Sequence, residues 1–236
     1  MADVVLLEPT PVKPPLKFHF RAYPPLALLT VAAPLVAEGY SVKIVDQRLN
    51  PDWERELLSS VDEETLCVGI STLTGRQLLY ALHASHVVKR NSDVPIVWGG
   101  VHPSLLPEQT VRHPWIDYVV QGEGDVAFAS LVRALAEGRA DAEIPGMWAK
   151  GNGSIRTTAP GSFLDMDALP RVPFHLVDSA TYDLADALPV CTSRGCAHRC
   201  GFCYNLHYCG RRWRAMTPAR VIEHLRHCLL YTSDAA

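Results

Sequence analysis

The sequence predicts an α/β protein: a doubly wound, five-stranded parallel sheet, then a linker and the first β/α unit of a second domain. Three observations predict this. Short apolar runs alternate with helical stretches over the first 140 residues, which is typical of parallel βαβ units. Glycines and hydroxyl residues follow several of the predicted strands, at the edge where such sheets bind ligands. Beyond residue 185, an apolar run leads directly into three closely spaced cysteines.

The predicted strands and helices alternate in chain order, and right-handed crossovers would place helices on both faces of the sheet. Pro34 is expected to kink or split the first helix, because proline cannot donate the helical hydrogen bond. On the third helix, the spacing of Leu78, Leu79 and Leu82 predicts an apolar face. The strands are expected over residues 4–9, 41–46, 66–71, 95–100 and 116–120, and the helices over 26–38, 52–61, 77–89 and 128–135.

Three predicted turns carry the candidate ligand contacts. Because the carboxyl ends of parallel strands meet at one edge of a sheet, these turns are expected to lie together. Glycine lets the backbone approach a ligand closely, and hydroxyl groups can bond its polar atoms. The alternative for His102 is that it only caps the turn before Pro103. The predicted contacts are Ser71, Thr72, Leu73 and Thr74, then Gly99, Gly100, Val101 and His102, and finally Gly122, Glu123 and Gly124.

Composition changes divide the rest of the chain. We predict an α/β domain over 1–140, a hairpin and proline-rich linker over 141–185, and the start of a second domain over 186–227. In that second domain, residues 188–192 are expected to form the first strand, and Thr217 to cap a helix. The last nine residues, 228–236, resemble a translated sequencing adapter, so Cys228 is given no role.

The cysteines Cys196, Cys200 and Cys203 carry the chemistry of the second domain. Their C-x3-C-x2-C spacing allows three thiolates to hold three irons of a cubane iron–sulfur cluster, leaving the fourth iron open. Structural zinc prefers four closed ligands, so a zinc site is the less favoured alternative. Cys209 is either an auxiliary ligand or a spare thiol, and Cys191 is interpreted as a core residue of the preceding strand.

With Phe202 as the aromatic residue of a C-x3-C-x-aromatic-C loop, this segment resembles the radical S-adenosylmethionine (SAM) superfamily. The resemblance implies a [4Fe–4S] cluster whose open iron binds SAM, with Phe202 beside the SAM adenine. It also implies that SAM is cleaved to a 5′-deoxyadenosyl radical, which attacks a small-molecule substrate. A flavodoxin or ferredoxin would supply the electron.

The first 140 residues are similar to the flavodoxin-like, cobalamin-binding domain that precedes many radical SAM domains. The three turns named above carry that resemblance, together with the Pro24-Pro25-Leu26 helix start. The resemblance implies that these turns cradle cobalamin. His19, in the loop after the first strand, lacks the flanking Asp and Gly of histidine-ligating domains, which implies binding without a histidine ligand from this loop. The alternative is a degenerate sheet that no longer binds cobalamin.

Together these resemblances imply cobalamin-dependent methyl transfer, or related radical chemistry, on an unactivated carbon. Two alternatives remain: a cobalamin-independent radical SAM cyclase or methylthiotransferase, and a non-catalytic metal-binding or sensory module. Only one β/α unit of a barrel is present, so the chain is expected to be an inactive fragment.

The composition excludes several classes of protein. Lys and Arg number 22 against 25 Asp and Glu, a net charge of −3 with no long run of either sign, so nothing indicates a nucleic-acid partner. No apolar run reaches the roughly 18 residues of a membrane span. Seven cysteines, an odd number, and the lack of a basic signal-peptide region predict a reducing, cytoplasmic setting.

Overall fold

Five short apolar strands lie in parallel at the centre of the protein, as predicted. The computed structural model describes residues 2–9, 23–151, 153–178, 181–182 and 188–229. The parallel strands have the order β2-β1-β3-β4-β5. They are β1 (Val4–Glu8), β2 (Val42–Asp46), β3 (Cys67–Ser71), β4 (Ile96–Gly99) and β5 (Tyr118–Val120).

The predicted hairpin forms and extends this sheet, which therefore has seven strands rather than five. Its strands, β6 (Met147–Lys150) and β7 (Ile155–Thr157), are antiparallel, and β6 pairs with β5. The indole N–H of Trp148 donates to Oε1 of Gln121, just past β5, over 2.9 Å. The hairpin covers an edge that would otherwise present unpaired backbone groups. It belongs to the sheet and is not a separate part of the linker.

Helices cover both faces of the sheet, which confirms the doubly wound prediction. Alternate side chains of a strand point to opposite faces. In β1, Val4 and Leu6 pack in one buried cluster with α1 and α6, whereas Val5 and Leu7 pack in the other with α2 and α3. The helices are α1 (Leu26–Ala37), α2 (Trp53–Ser60), α3 (Gln77–Asn91), α4 (Val101–Leu105), α5 (Pro107–Val111) and α6 (Gly124–Ala136).

Several helix predictions need correction. Helix α1 is not split at Pro34: the helix continues, and the Glu38 N–H donates to the Pro34 carbonyl over 3.0 Å. The predicted apolar face of α3 is partly wrong, because Leu79 is 67% exposed and the buried positions include the small residues Ala81 and Ala84. Helix α6 begins at Gly124, four residues before the predicted start. The short helices α4 and α5 were not predicted.

The predicted strand at 188–192 is wrong. These residues are extended coil, and Leu188 and Val190 pack against the first buried cluster. The next strand, β8 (Ser193–Gly195), pairs antiparallel with β9 (Trp213–Ala215). We call this pair the ribbon. The ribbon is followed by α8 (Pro218–Cys228), where the Thr217 side chain accepts from the Arg220 N–H as predicted.

The connection between sheet and ribbon is packed against the sheet. Phe174 is buried in the first cluster, within the 3-10 turn Phe174–Leu176. The Tyr182 hydroxyl donates to Asp46 at the end of β2 over 2.8 Å, in a buried position. Arg48 binds the same carboxylate. The linker is therefore anchored at two points on the domain that it leaves.

Some predictions fall outside the described residues. These are most of the loop between Pro9 and Pro25, including His19, and residues 230–236 of the tail. Cys228 is described, and it is buried at the end of α8. Among the described residues, no helix is both long and apolar enough to cross a membrane.

Candidate functional site

A cavity of about 360 Å³ opens at the carboxyl ends of β1, β3, β4 and β5. This is the edge at which open α/β sheets bind ligands. Three sets of residues form its walls. The sheet and its turns contribute Leu6, Gly69, Ser71, Gly99, Gly100, Gly122, Glu123 and Gly124, helix α1 contributes Leu26, Ala27, Thr30 and Val31, and the cysteine-bearing segment contributes Cys191, Arg194, Gly195, Tyr204, Asn205, Tyr208 and Cys209.

Six of the eleven predicted ligand contacts line this cavity: Ser71, Gly99, Gly100, Gly122, Glu123 and Gly124. The other five lie beside it. Thr72 is fully buried, and its N–H donates to the Gly99 carbonyl over 2.8 Å, so it joins two of the turns. Val101 begins α4, and Leu73 is 53% exposed. All eleven ligand contacts stay predictions.

His102 and Thr74 contact each other. The Thr74 hydroxyl lies 3.1 Å from Nδ1 of His102, within hydrogen-bonding distance. His102 is the second residue of α4, and its backbone N–H donates to the Thr72 carbonyl over 3.2 Å. Burial lowers the pKa of the His102 ring, which favours the neutral imidazole. These contacts connect the turns after β3 and β4.

The backbone of the cavity wall favours glycine at Gly100 and at Gly122, which has φ +89°, and it leaves open space at Gly99 and Gly122. Gly100 has φ +97°, and a Cβ there would lie 2.7 Å from the Thr72 carbonyl oxygen. A Cβ at Gly99 or Gly122 would meet no atom within 4 Å. At the turns after β4 and β5 the backbone thus faces open space without side chains in between. An open backbone wall of this kind lets a large, flat ligand approach the sheet edge closely.

The three cysteines of the motif lie on the loop between β8 and the short helix α7 (Asn205–Tyr208). All are free; Cys200 is exposed, and Cys196 and Cys203 are partly buried. The Cys203 N–H donates to the Cys200 carbonyl over 3.0 Å, which closes a turn. In the described part of the chain, no group of three or more His, Cys, Asp or Glu side chains is arranged to hold a metal ion. Metal ligation by this loop therefore stays a prediction.

The remaining residues of the segment differ from one another in burial. Phe202 is 94% exposed, so it does not bury the loop. Cys191 lies in coil and lines the cavity, so it is not the strand residue that we predicted. Cys209 is buried, and its thiol donates to Oδ1 of Asn205 over 3.4 Å. Burial raises the pKa of Cys209, and the charge of Glu123 adds to this effect.

Sequence reasoning missed the residues that join the sheet domain to the cysteine-bearing segment. Arg214 ends the basic run at 211–214, and its guanidinium binds the Glu123 carboxylate. Arg194 binds Asp125 in the same way. The Tyr208 hydroxyl donates to the Gly122 carbonyl over 3.1 Å, and burial together with Glu123 raises the pKa of Tyr208 to about 12. The sequence offered one sign of these contacts: Glu123 and Asp125 are two residues apart, at the start of a helix.

Known proteins share both the sequence and the fold of this chain. Residues 21–132 match the sequence profile of the family described as the B12 binding domain. This chain contains a B12-binding domain. The predicted resemblance of the first 140 residues to a cobalamin-binding domain is thereby confirmed.

Longer relatives extend beyond the B12-binding domain. An uncharacterized methyltransferase of Pyrococcus horikoshii is 36% identical over 211 residues, which cover 86% of this chain and 45% of the relative. An anaerobic magnesium-protoporphyrin IX monomethyl ester cyclase of Synechocystis is 28% identical over 210 residues, covering 86% of this chain and 42% of the relative. The chain thus spans about half the length of the curated relatives that it matches.

A solved structure shows the same fold. It is the radical SAM methyltransferase TsrM of Kitasatospora setae with cobalamin and a [4Fe–4S] cluster bound. The TM-score is 0.74 at 22% sequence identity, and the match covers 99% of this chain and 48% of TsrM. The α/β fold predicted from the sequence is confirmed.

Proposed function

We propose that this chain is the cofactor-binding part of a radical SAM enzyme that uses cobalamin to methylate an unactivated carbon of a small molecule. One observation carries the proposal: the glycine-lined cavity of the B12-binding domain has the cysteine-bearing segment as its opposite wall. The relatives include a methyltransferase and a cyclase, both about twice as long as the part matched here. The activity would belong to the whole protein.

The cavity residues would hold cobalamin against the sheet edge. The backbone at Gly99 and Gly122 leaves room for the corrin face, while Ser71 and Thr30 offer hydroxyl groups to its amide rim. Leu6, Leu26 and the other apolar wall residues exclude water from the corrin. When bound, cobalamin supplies a methyl carrier.

The cysteine loop would hold the cluster through Cys196, Cys200 and Cys203. Thiolates are the ligands that iron–sulfur clusters use, and three of them leave one iron for SAM, whose radical chemistry the cluster starts. Phe202, exposed on the same loop, is free to stack on the adenine of SAM. The exposure of Cys200 would also let a small electron-donor protein, such as a flavodoxin or ferredoxin, approach the loop.

The first test is anaerobic reconstitution of the chain with iron and sulfide. We expect the absorbance of a [4Fe–4S] cluster, and after reduction an electron paramagnetic resonance (EPR) signal that changes when SAM is added. Replacing Cys196, Cys200 and Cys203 together by serine should abolish both signals. The matched control is Cys191→Ser, a nearby thiol outside the motif, which should retain them. Colourless, zinc-loaded protein would instead support the non-catalytic metal module.

The second test asks whether the cavity binds cobalamin. The chain should retain hydroxocobalamin through gel filtration. Gly99→Leu should reduce retention at least about tenfold, because Gly99 lines the cavity, a Cβ there meets no atom within 4 Å, and the longer side chain would take up ligand space. Leu79→Gln, an exposed change on α3 away from the cavity, is the control. No retention by the unaltered chain would refute the cobalamin proposal and favour the second candidate, a cobalamin-independent radical SAM cyclase or methylthiotransferase.

A further inference from the structure

The ribbon that precedes the cysteine loop carries two arginines side by side. Arg194 in β8 and Arg214 in β9 are register partners, so their side chains lie on the same face of the ribbon. Two like charges placed directly opposite each other on paired strands repel. Each is only about one-sixth exposed, at 16% and 17%, so water screens the repulsion little. The structure must supply negative charge at this face.

Two carboxylates from the B12-binding domain supply that charge. Asp125 accepts two hydrogen bonds from Arg194, at 2.7 and 3.0 Å. Glu123 accepts two from Arg214, one of them at 3.0 Å, and also lies 3.9 Å from Arg194. Burial alone would lower the pKa of Arg194, but the hydrogen bonds and charges of Asp125 and Glu123 raise it above its ordinary value. We call these four residues the arginine clamp.

The geometry of the clamp fixes the orientation of the ribbon as well as its distance from the sheet domain. A guanidinium that binds a carboxylate through two parallel hydrogen bonds has a defined orientation, unlike the point charge of a lysine. Arg214 also donates to the Leu164 carbonyl over 2.9 Å, and its guanidinium lies 4.7 Å from the centre of the Phe163 ring. The ribbon is thus held against the sheet domain by contacts on several sides.

The clamp connects the cavity wall to the cysteine loop by a short path. Glu123 and Asp125 lie at the start of α6, in the turn that forms the cavity wall at Gly122 and Gly124. Arg194 lies two residues before Cys196. A displacement of the ribbon relative to α6 would therefore move the cysteine loop relative to the cavity.

We propose that the arginine clamp is a positioning device that sets the cysteine loop at the mouth of the B12 cavity. Glu123, predicted from the sequence as a ligand contact, then serves the ribbon, because its two carboxylate oxygens are occupied by Arg214. The proposal rests on the proposed function, since the loop and cavity need a fixed distance only if both hold cofactors that act together. Arg194, Arg214, Glu123 and Asp125 are positioning residues in this account.

Arg214→Gln tests the clamp, because Arg214 does not line the cavity and Glu123 and Asp125 remain in place. Hydrogen exchange of the whole chain is the first measurement. Amides of 193–195, 205–209 and 213–215 should exchange about tenfold faster in the variant, while those of β1, β3 and β4 should not change. Arg214→Lys, which keeps the charge but loses the paired hydrogen bonds, should give an intermediate effect. The control, Arg112→Gln, removes an exposed pair with Glu108 and should leave the ribbon unchanged.

The second measurement reports the distance that the clamp sets. In the chain loaded with cobalamin and cluster, the reduced cluster should speed the spin relaxation of cobalt(II), and Arg214→Gln should weaken this enhancement. Unchanged relaxation in a fully loaded variant would overturn the proposal. Equal acceleration of exchange in ribbon and sheet, or no acceleration at all, would also overturn it. Failure of the unaltered chain to bind either cofactor would instead refute the proposed function.

Discussion

The sheet domain and the cysteine-bearing segment are stabilised in different ways. In the sheet, strands such as β1 and β3 are almost fully buried between two layers of helices, and apolar packing holds them. The segment 188–229 has few buried apolar side chains among its described residues: Cys209, Met216 and Cys228. Its ribbon is held by ion pairs and hydrogen bonds to the domain before it. The sheet edge and its turns therefore hold their own part of the cavity wall by apolar packing, whereas the cysteine-bearing segment takes its position from contacts with the sheet domain.

The largest loss of stability that would test this difference between the sheet and the cysteine-bearing segment is expected at Gly195, in the ribbon. It has φ +90°, and a Cβ there would lie 1.8 Å from the Arg212 carbonyl oxygen. Gly195→Ala should lower the local free energy of opening of the ribbon by at least about 3 kcal/mol, because both backbone strain and overlap must be relieved. Hydrogen exchange measures this free energy of opening, and exchange in the sheet should stay as it is in the unaltered chain.

Gly201→Ala is the matched control within the cysteine loop. Its Cβ would meet no atom within 4 Å, so the change should stay within about 0.5 kcal/mol. If Gly195→Ala also opened the sheet, the two regions would be one cooperative unit, and the contrast drawn above would be wrong.

The second effect concerns the cavity wall. Gly100→Ala should lower the free energy of unfolding of the sheet domain by about 2–3 kcal/mol, because Gly100 has φ +97° and its new Cβ would overlap the Thr72 backbone. Denaturant unfolding followed by circular dichroism measures it. Gly99→Ala, one residue earlier and open to the cavity, should be neutral or stabilise by up to about 1 kcal/mol. Equal losses in both variants would show that the cavity backbone is not constrained as the structure indicates.

The smallest effect on stability is expected at Phe202. Its side chain is 94% exposed, so Phe202→Ala should change the free energy of unfolding by no more than about 0.5 kcal/mol. Under the proposed function it should weaken the SAM-induced change in the EPR signal of the cluster, because a stacking surface for adenine is lost. A large loss of stability without any effect on SAM would show that Phe202 packs in the fold instead.

Much of the sheet could be predicted because each strand is indicated by a pattern of neighbouring residues. Apolar runs of four to six residues gave all five parallel strands, and the glycines at 99, 100 and 122 marked the edge where the cavity lies. The start of α6 was missed because Gly122–Asp125 has the composition of a turn. The strand at 188–192 was predicted wrongly, since an apolar run that packs as extended coil looks the same in sequence as a strand.

The amino-acid sequence by itself determined the parallel sheet, its ligand-binding edge and the spacing of the three cysteines, because burial patterns and short motifs are written in neighbouring residues. Only the tertiary structure decided that Glu123 and Asp125 bind Arg214 and Arg194, partners 91 and 69 residues away. Ion pairs over such separations depend on the path of the whole chain, and no local pattern specifies them. The position of the cysteine loop at the cavity is set by these long-range contacts.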